Sequence, residues 1–132
     1  MRRPAALVIF AILHVAPALA CTCVGSTDPS EWARELTHQA VSVVLAQIDS
    51  VSAPDSPGGI YSARLTVLER FKGGGTPLPE VKVGSYLCQD VELKARETHV
   101  LFLDKDGVVL GCSAYFISTE KLVKILRKQK SR

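Results

Sequence analysis

Two cysteines one residue apart, Cys21 and Cys23, stand directly behind Ala18-Leu19-Ala20. The stretch ahead of them has the order of a secretory signal peptide. Arg2 and Arg3 form a basic start, Ala5–Ala16 is apolar, and Ala18-Leu19-Ala20 is an A-x-A cleavage site. The expectation is therefore a signal peptide over residues 1–20 and one mature domain over 21–132, beginning at Cys21. Cleavage removes Arg2 and Arg3, two of the three net positive charges of the chain. Export leads to an oxidising compartment, extracellular or periplasmic, in which cysteines pair.

Cys21, Cys23, Cys88 and Cys112 permit three complete pairings. A bridge between Cys21 and Cys23 would need a strained ring, so the reading sends each to a distant partner. Each such bridge closes a loop of roughly 70 to 90 residues and stabilises by about 4 kcal/mol. A domain of this length also buries a core of its own. What the bridges fix is therefore the N-terminal strand. Three other uses of the cysteines stay open. Acylation of Cys21 would anchor a lipoprotein, although Ala18 stands where such signals favour Leu. Cys-Thr-Cys could be a redox pair. The thiols could also hold a soft metal, although His38 and His99 show no ligand spacing.

The apolar run Ala5–Ala20 carries His14 and Pro17 and falls short of the about 20 residues of a membrane span. No transmembrane span is expected after cleavage. The net charge of +3 gives no footprint of a nucleic-acid binder.

Asp28-Pro29-Ser30-Glu31 starts a helix over Pro29–Gln39, with Asp28 as cap and Glu31 placed to reach back. Trp32, Leu36 and Ala40 share one face of it. Strands are expected over Val41–Ile48, Ile60–Phe71, Val81–Tyr86, Thr98–Leu103 and Val108–Cys112. Tyr61, Ala63, Leu65 and Val67 lie on one face of the second strand. Polar loops fill Ser50–Gly59 and Lys72–Glu80, and Asp104-Lys105-Asp106-Gly107 is a hairpin turn. Ser118 caps a final helix whose apolar face holds Leu122, Val123, Ile125 and Leu126. The fold expected is all-β with peripheral helices, a small closed barrel of about five strands.

The C-terminal stretch carries Lys121, Lys124, Arg127, Lys128, Lys130 and Arg132. It reads as a solvated helix face with a frayed tail, or as the surface for an anionic partner or membrane. Gly73-Gly74-Gly75 lacks a following Lys-Ser/Thr pair and is a turn rather than a phosphate loop. Asp104 and Asp106 lack the spacing of a calcium loop. No nucleophile, base or ligand set forms a catalytic pattern, so the chain reads as a non-enzyme without cofactors.

The start Cys21-Thr22-Cys23-Val24 resembles that of the tissue inhibitors of metalloproteinases. Val43–Ala46 is similar to their first barrel strand and Phe71-Lys72-Gly73 to the end of their second. Cys88 follows an extended strand as in that family. His99–Phe102, Asp106-Gly107 and Cys112-Ser113 resemble their last hairpin. The resemblance implies a disulfide-bridged, netrin-like OB barrel with Cys21–Cys88 and Cys23–Cys112 bridges. It further implies inhibition of a zinc metalloprotease, whose metal the Cys21 amine and carbonyl would bind in trans. Thr22 would face the specificity pocket and Val24 would follow the cleft. Ser85, Tyr86 and Leu87 would lie alongside. The departures are a missing third cysteine in the first helix and its missing partner near the C-terminus, no counterpart of the family's C-terminal subdomain, and a short Ser50–Gly59 loop. A non-inhibitory cell-envelope module, anchored at Cys21 or free, is the alternative.

Overall fold

A computed structural model describes residues 28–54, 59–74, 78–84, 93–110 and 117–132. Its elements are α1 (Pro29–Gln39), β1 (Ser42–Val51), β2 (Ile60–Lys72), β3 (Glu80–Gly84), β4 (Thr98–Leu103) and α2 (Thr119–Lys130). The strands form a four-stranded antiparallel sheet in the order β3-β2-β1-β4. The chain is thus mostly β with two helices, and each of these elements lies close to its sequence-expected position. The fifth expected strand is represented among the described residues by single bridges, and residues 111–116 lie outside them.

Both helices begin as their sequences dictate. The extended Asp28 accepts the Glu31 backbone N–H at 3.2 Å, with Pro29 in the first position. The Glu31 carboxylate turns to Arg34 at 3.8 Å rather than back to the cap. Ser118 accepts the Lys121 N–H at 3.3 Å. α1 then buries Trp32 and Ala33, and α2 buries Leu122, Val123 and Leu126. Trp32 meets Phe102 edge-on, with ring centroids 6.0 Å apart.

The sheet is covered on both faces. Val43, Phe71, Val100 and Phe102 pack with the two helices. Val44, Ala46, Ile48, Leu101 and Leu103 pack on the other side against Ala63, Leu65, Val81, Val83 and Val109. A strand buried on both faces has no polar face to alternate with, which is why Val43–Ala46 is continuously apolar. Tyr61, Ala63, Leu65 and Val67 do share a face, joining the second of these clusters. The β1–β2 pairing shifts register between Val43 and Val44, Leu45 and Ala46, and Ile48 and Ser50. Irregularities of this kind increase local twist.

Residues 107–110 bond to both edge strands. Beside β3, the Lys82 N–H donates to Gly107 O at 3.0 Å and the Val109 N–H to Lys82 O at 2.9 Å. Beside β4, the Asp104 N–H donates to Val108 O at 3.0 Å and the Leu110 N–H to Phe102 O at 2.7 Å. The pairing is parallel at Lys82–Val108 and antiparallel at Leu103–Val109. The turn before it is held by Asp104 Oδ1, which accepts from the Asp106 and Val108 N–H groups at 2.8 and 2.9 Å.

At the end of β2, Gly73 has φ +100°, and a Cβ there would stand 2.8 Å from Ser42 Oγ and 3.2 Å from Val41 O. At Gly74 a Cβ would meet nothing within 4 Å. Gly73→Ala is therefore expected to destabilise by about 1–3 kcal/mol, from a positive φ and a clash with the Ser42 side chain. Gly74→Ala should stay within about 0.5 kcal/mol of the parent. Urea denaturation of the two variants checks this, and equal midpoints would contradict it.

Candidate functional site

The residues to which sequence reasoning assigns the inhibitory contact lie outside the described residues: Cys21, Thr22, Cys23, Val24, Ser85, Tyr86 and Leu87. So do Cys88, Cys112 and the segment 1–20. Their described neighbours are Asp28 at the start of α1, Gly84 paired with Ile60 at the end of β3, and Leu110 bonded to Phe102.

The described residues assemble a different feature, an open groove of about 990 Å³ between α1 and α2. Lys121, Lys124, Lys128 and Arg132 line it from α2 and the residue after its cap, and Arg34 and Lys72 contribute from α1 and the sheet. Spacings of three and four residues put the α2 cations on one side of the helix. Asp28 and Glu31 also line the groove, but each is committed locally, to the cap and to Arg34.

Lys72 belongs to the structure of the groove wall. Its Nζ donates to Thr37 O at 2.7 Å and Ala40 O at 2.6 Å, with His38 O at 3.4 Å. These are carbonyls at the end of α1 that have no further turn to bond to, and a cation there also suits the helix dipole.

The basic stretch of α2 divides into two sets. Arg127 grips the Glu69 carboxylate of β2, with Nη2 at 2.7 Å and Nε at 3.2 Å from both oxygens. Lys130 Nζ donates to Arg70 O at 2.7 Å. Gln129 Nε2 reaches Ser30 O at 2.8 Å and ties α2 to α1. Lys124 pairs with Glu120 at 2.9 Å on an exposed turn. The side chains of Lys121, Lys128 and Arg132 have no hydrogen bond or ion pair among the described residues. The tail is therefore helical through Lys130 rather than frayed, and its cations alternate between anchors and free charges.

These contacts shift three titrations. Hydrogen bonding to Arg127 holds the Glu69 carboxyl below its usual range, aided by the Arg127 and Lys130 charges and opposed by burial. The hydrogen bond and charge of Lys124 lower Glu120. Bonding to Glu69 raises Arg127.

Among the described residues neither His38 nor His99 enters a metal set. His99 Nε2 lies 2.9 Å from Glu97 Oε2, and His38 lies on the groove. Among the described residues no group of three or more His, Cys, Asp or Glu could hold a metal ion. Among them, too, no helix is long and apolar enough to cross a membrane. The groove was missed in sequence because it depends on which cations pair with distant residues. Its one sequence signal is the surplus of basic residues from Lys121 to Arg132. No family model matches this chain, and no curated protein matches it.

A carboxyl whose folded pKa is lowered stabilises the fold above its unfolded pKa, and this is lost as pH falls through the folded value. The Glu69–Arg127 clamp should therefore separate wild type from Glu69→Gln in melting temperature at about pH 7. The gap should close in acid, at about pH 3 and below, once the carboxyl is protonated. It should also narrow in about 1 M salt, where screening reaches 3 Å. Thermal melts across pH and salt check this; a gap that persisted in acid would assign the effect to packing.

Proposed function

We propose that this chain is an exported, non-enzymatic inhibitor of zinc metalloproteases, built as a disulfide-bridged OB-type barrel and acting through its Cys21 amine. The observation that carries the reading is the bonding of residues 107–110 to both β3 and β4. Added to the order β3-β2-β1-β4, a fifth strand there would close the ring, parallel to β3 and antiparallel to β4. A closed five-stranded barrel is what the resemblance of the Cys21-Thr22-Cys23-Val24 start implies. Cys112 follows Leu110 by two residues and Cys88 follows Gly84 by four. Both proposed partners of the N-terminal cysteines thus follow closely in sequence on described segments, Cys88 on β3 and Cys112 on residues 107–110.

In this reading the ligand group is the new N-terminus. A catalytic zinc keeps one position open for water. An α-amine with a pKa of about 7.7 to 8 is partly neutral near neutral pH and can take that position. The Cys21 carbonyl would close a five-membered chelate on the same ion. Thr22 presents a small side chain to the specificity pocket, and Val24 continues along the cleft. The Cys21–Cys88 bridge would hold Ser85, Tyr86 and Leu87 beside them, and pre-ordering of this kind lowers the entropy cost of binding. The chain would act outside the cytoplasm, extracellularly or in a periplasm.

A second reading rests on Cys21 being the first mature residue. If that thiol is acylated, the chain is an anchored envelope module, because acylation normally also blocks the amine.

The exported protein should carry an unmodified N-terminal Cys21, and non-reducing peptide mapping should return Cys21–Cys88 and Cys23–Cys112. It should inhibit at least one member of a zinc-protease panel at micromolar concentration. One alanine added before Cys21 should abolish that inhibition, since the Cys21 nitrogen becomes an amide. Thr22→Gly should weaken it by only about 1 kcal/mol, roughly fivefold. A diacylglycerol mass on Cys21 would favour the anchored module instead. Undiminished inhibition by the alanine-extended form would remove the chelation mechanism.

A further inference from the structure

The groove between α1 and α2 holds more positive charge than the described residues neutralise. Lys121, Lys128 and Arg132 are exposed, face one groove, and have no partner among the described residues. Lys124 is engaged only by Glu120, in a pair whose two side chains are 72% and 81% exposed. Such a pair contributes little and exchanges readily for another carboxylate. Lys72 adds a positive charge whose hydrogen bonds all go to neutral carbonyls.

We propose that this groove binds an extended acidic peptide segment of a partner protein. The spacing fits. Along the helix axis the α2 cations rise by about 4.5 to 6 Å from one to the next, and about 16 Å in all. Alternate side chains of an extended peptide lie about 6.6 Å apart, so about five residues span the row. An alternating run of Glu or Asp over that length carries three carboxylates to share among the four cations.

The lining distinguishes a peptide from other anions. Asp28 and Glu31 lie in the same groove. A uniform polyanion would press its charge against them, whereas a peptide can change character within two residues. Ile125 and Thr37 are half-buried in the lining and offer an apolar contact and a hydroxyl oxygen, which donates to Ala33 O at 2.6 Å and can still accept. A peptide can answer these with an apolar side chain and a backbone group. An anionic bilayer is flat and would touch only the rims of a concave groove. The apolar side of α2, Leu122, Val123 and Leu126, is already spent on the sheet, so the helix has no face left to insert into lipid.

The groove is also held in shape. Arg127 and Lys130 tie α2 to β2, Gln129 ties it to α1, and Lys72 ties α1 to the sheet. A partner would meet cations on a fixed wall and would not have to order it first.

The probe is a fluorescein-labelled peptide of alternating Ser and Glu, about twelve residues long to overrun the groove. It is titrated with the exported full chain at about 50 mM and about 200 mM salt. Saturable binding is expected at the lower salt and weaker binding at the higher. Lys121→Glu with Lys128→Glu should weaken it by about tenfold or more. Arg132→Gln, at the helix end and outside the core, should weaken it by a smaller factor, and serves if the double variant does not fold. Lys105→Glu, in the 104–107 turn, should leave it unchanged. Absence of saturable binding would overturn the proposal, as would binding that both groove variants retain. Tighter groove-dependent binding of inorganic polyphosphate, or of vesicles of phosphatidylglycerol and phosphatidylcholine, would also overturn it. The titration contains no protease, so its outcome is independent of the inhibitor reading.

Discussion

Val43 and Val44 are adjacent in the chain and buried on opposite faces of the sheet, and neither side chain is exposed. Each needs its own cover. On the Val43 side the cover is the pair of helices, which bring Trp32, Leu122, Val123 and Leu126. On the Val44 side it is β3 and the 107–110 segment, which bring Val81, Val83 and Val109. Burying an aliphatic side chain of this size stabilises by about 1.5–3 kcal/mol. Neither layer can be removed without exposing one half of β1. The strand therefore pairs with neighbours on both sides and carries an apolar layer on both faces.

The junction of β1 and β2 shows how a short motif is read by its surroundings. Phe71 packs under the helices, Lys72 closes the end of α1, and Gly73 turns the chain where Ser42 leaves no room for a side chain. Ser42 is the one buried polar residue among those described. It is satisfied on two sides, donating to Lys72 O and accepting from Arg70, each at 3.3 Å. The sequence alone marks Gly73 as a turn. It does not reveal that Lys72 bonds to carbonyls more than thirty residues earlier.

That contrast describes what was legible. Caps act over three residues, so Asp28 and Ser118 announce α1 and α2 with correct starts. Apolar runs act over a strand length, so β1, β2 and β4 were found with small errors at their ends. Pairing across the fold leaves no local trace. Nothing near residue 108 indicates that its neighbours will bond to Lys82 as well as to Leu103 and Phe102. The residues of the proposed inhibitory contact are legible only as a pattern, Cys-x-Cys at an expected cleavage site, and lie outside the described residues. The groove was legible only as a surplus of basic residues, whose division into anchors and free charges depends on Glu69, 58 positions before Arg127.

The anchors give that division a consequence beyond stability. Glu69 and Arg127 form an exposed pair, and such pairs add little to the folding free energy. Their geometry nonetheless fixes the rotation of α2 about its axis. Helix positions 127 and 130 point to β2, so 121, 124, 128 and 132 must point away from it, to the groove. A basic helix held only by its apolar face could roll by a fraction of a turn and spread its cations over the solvent. Anchored from a second side, it keeps four of them in one row. Charges that contribute little energy to the fold thereby decide where this row of cations lies.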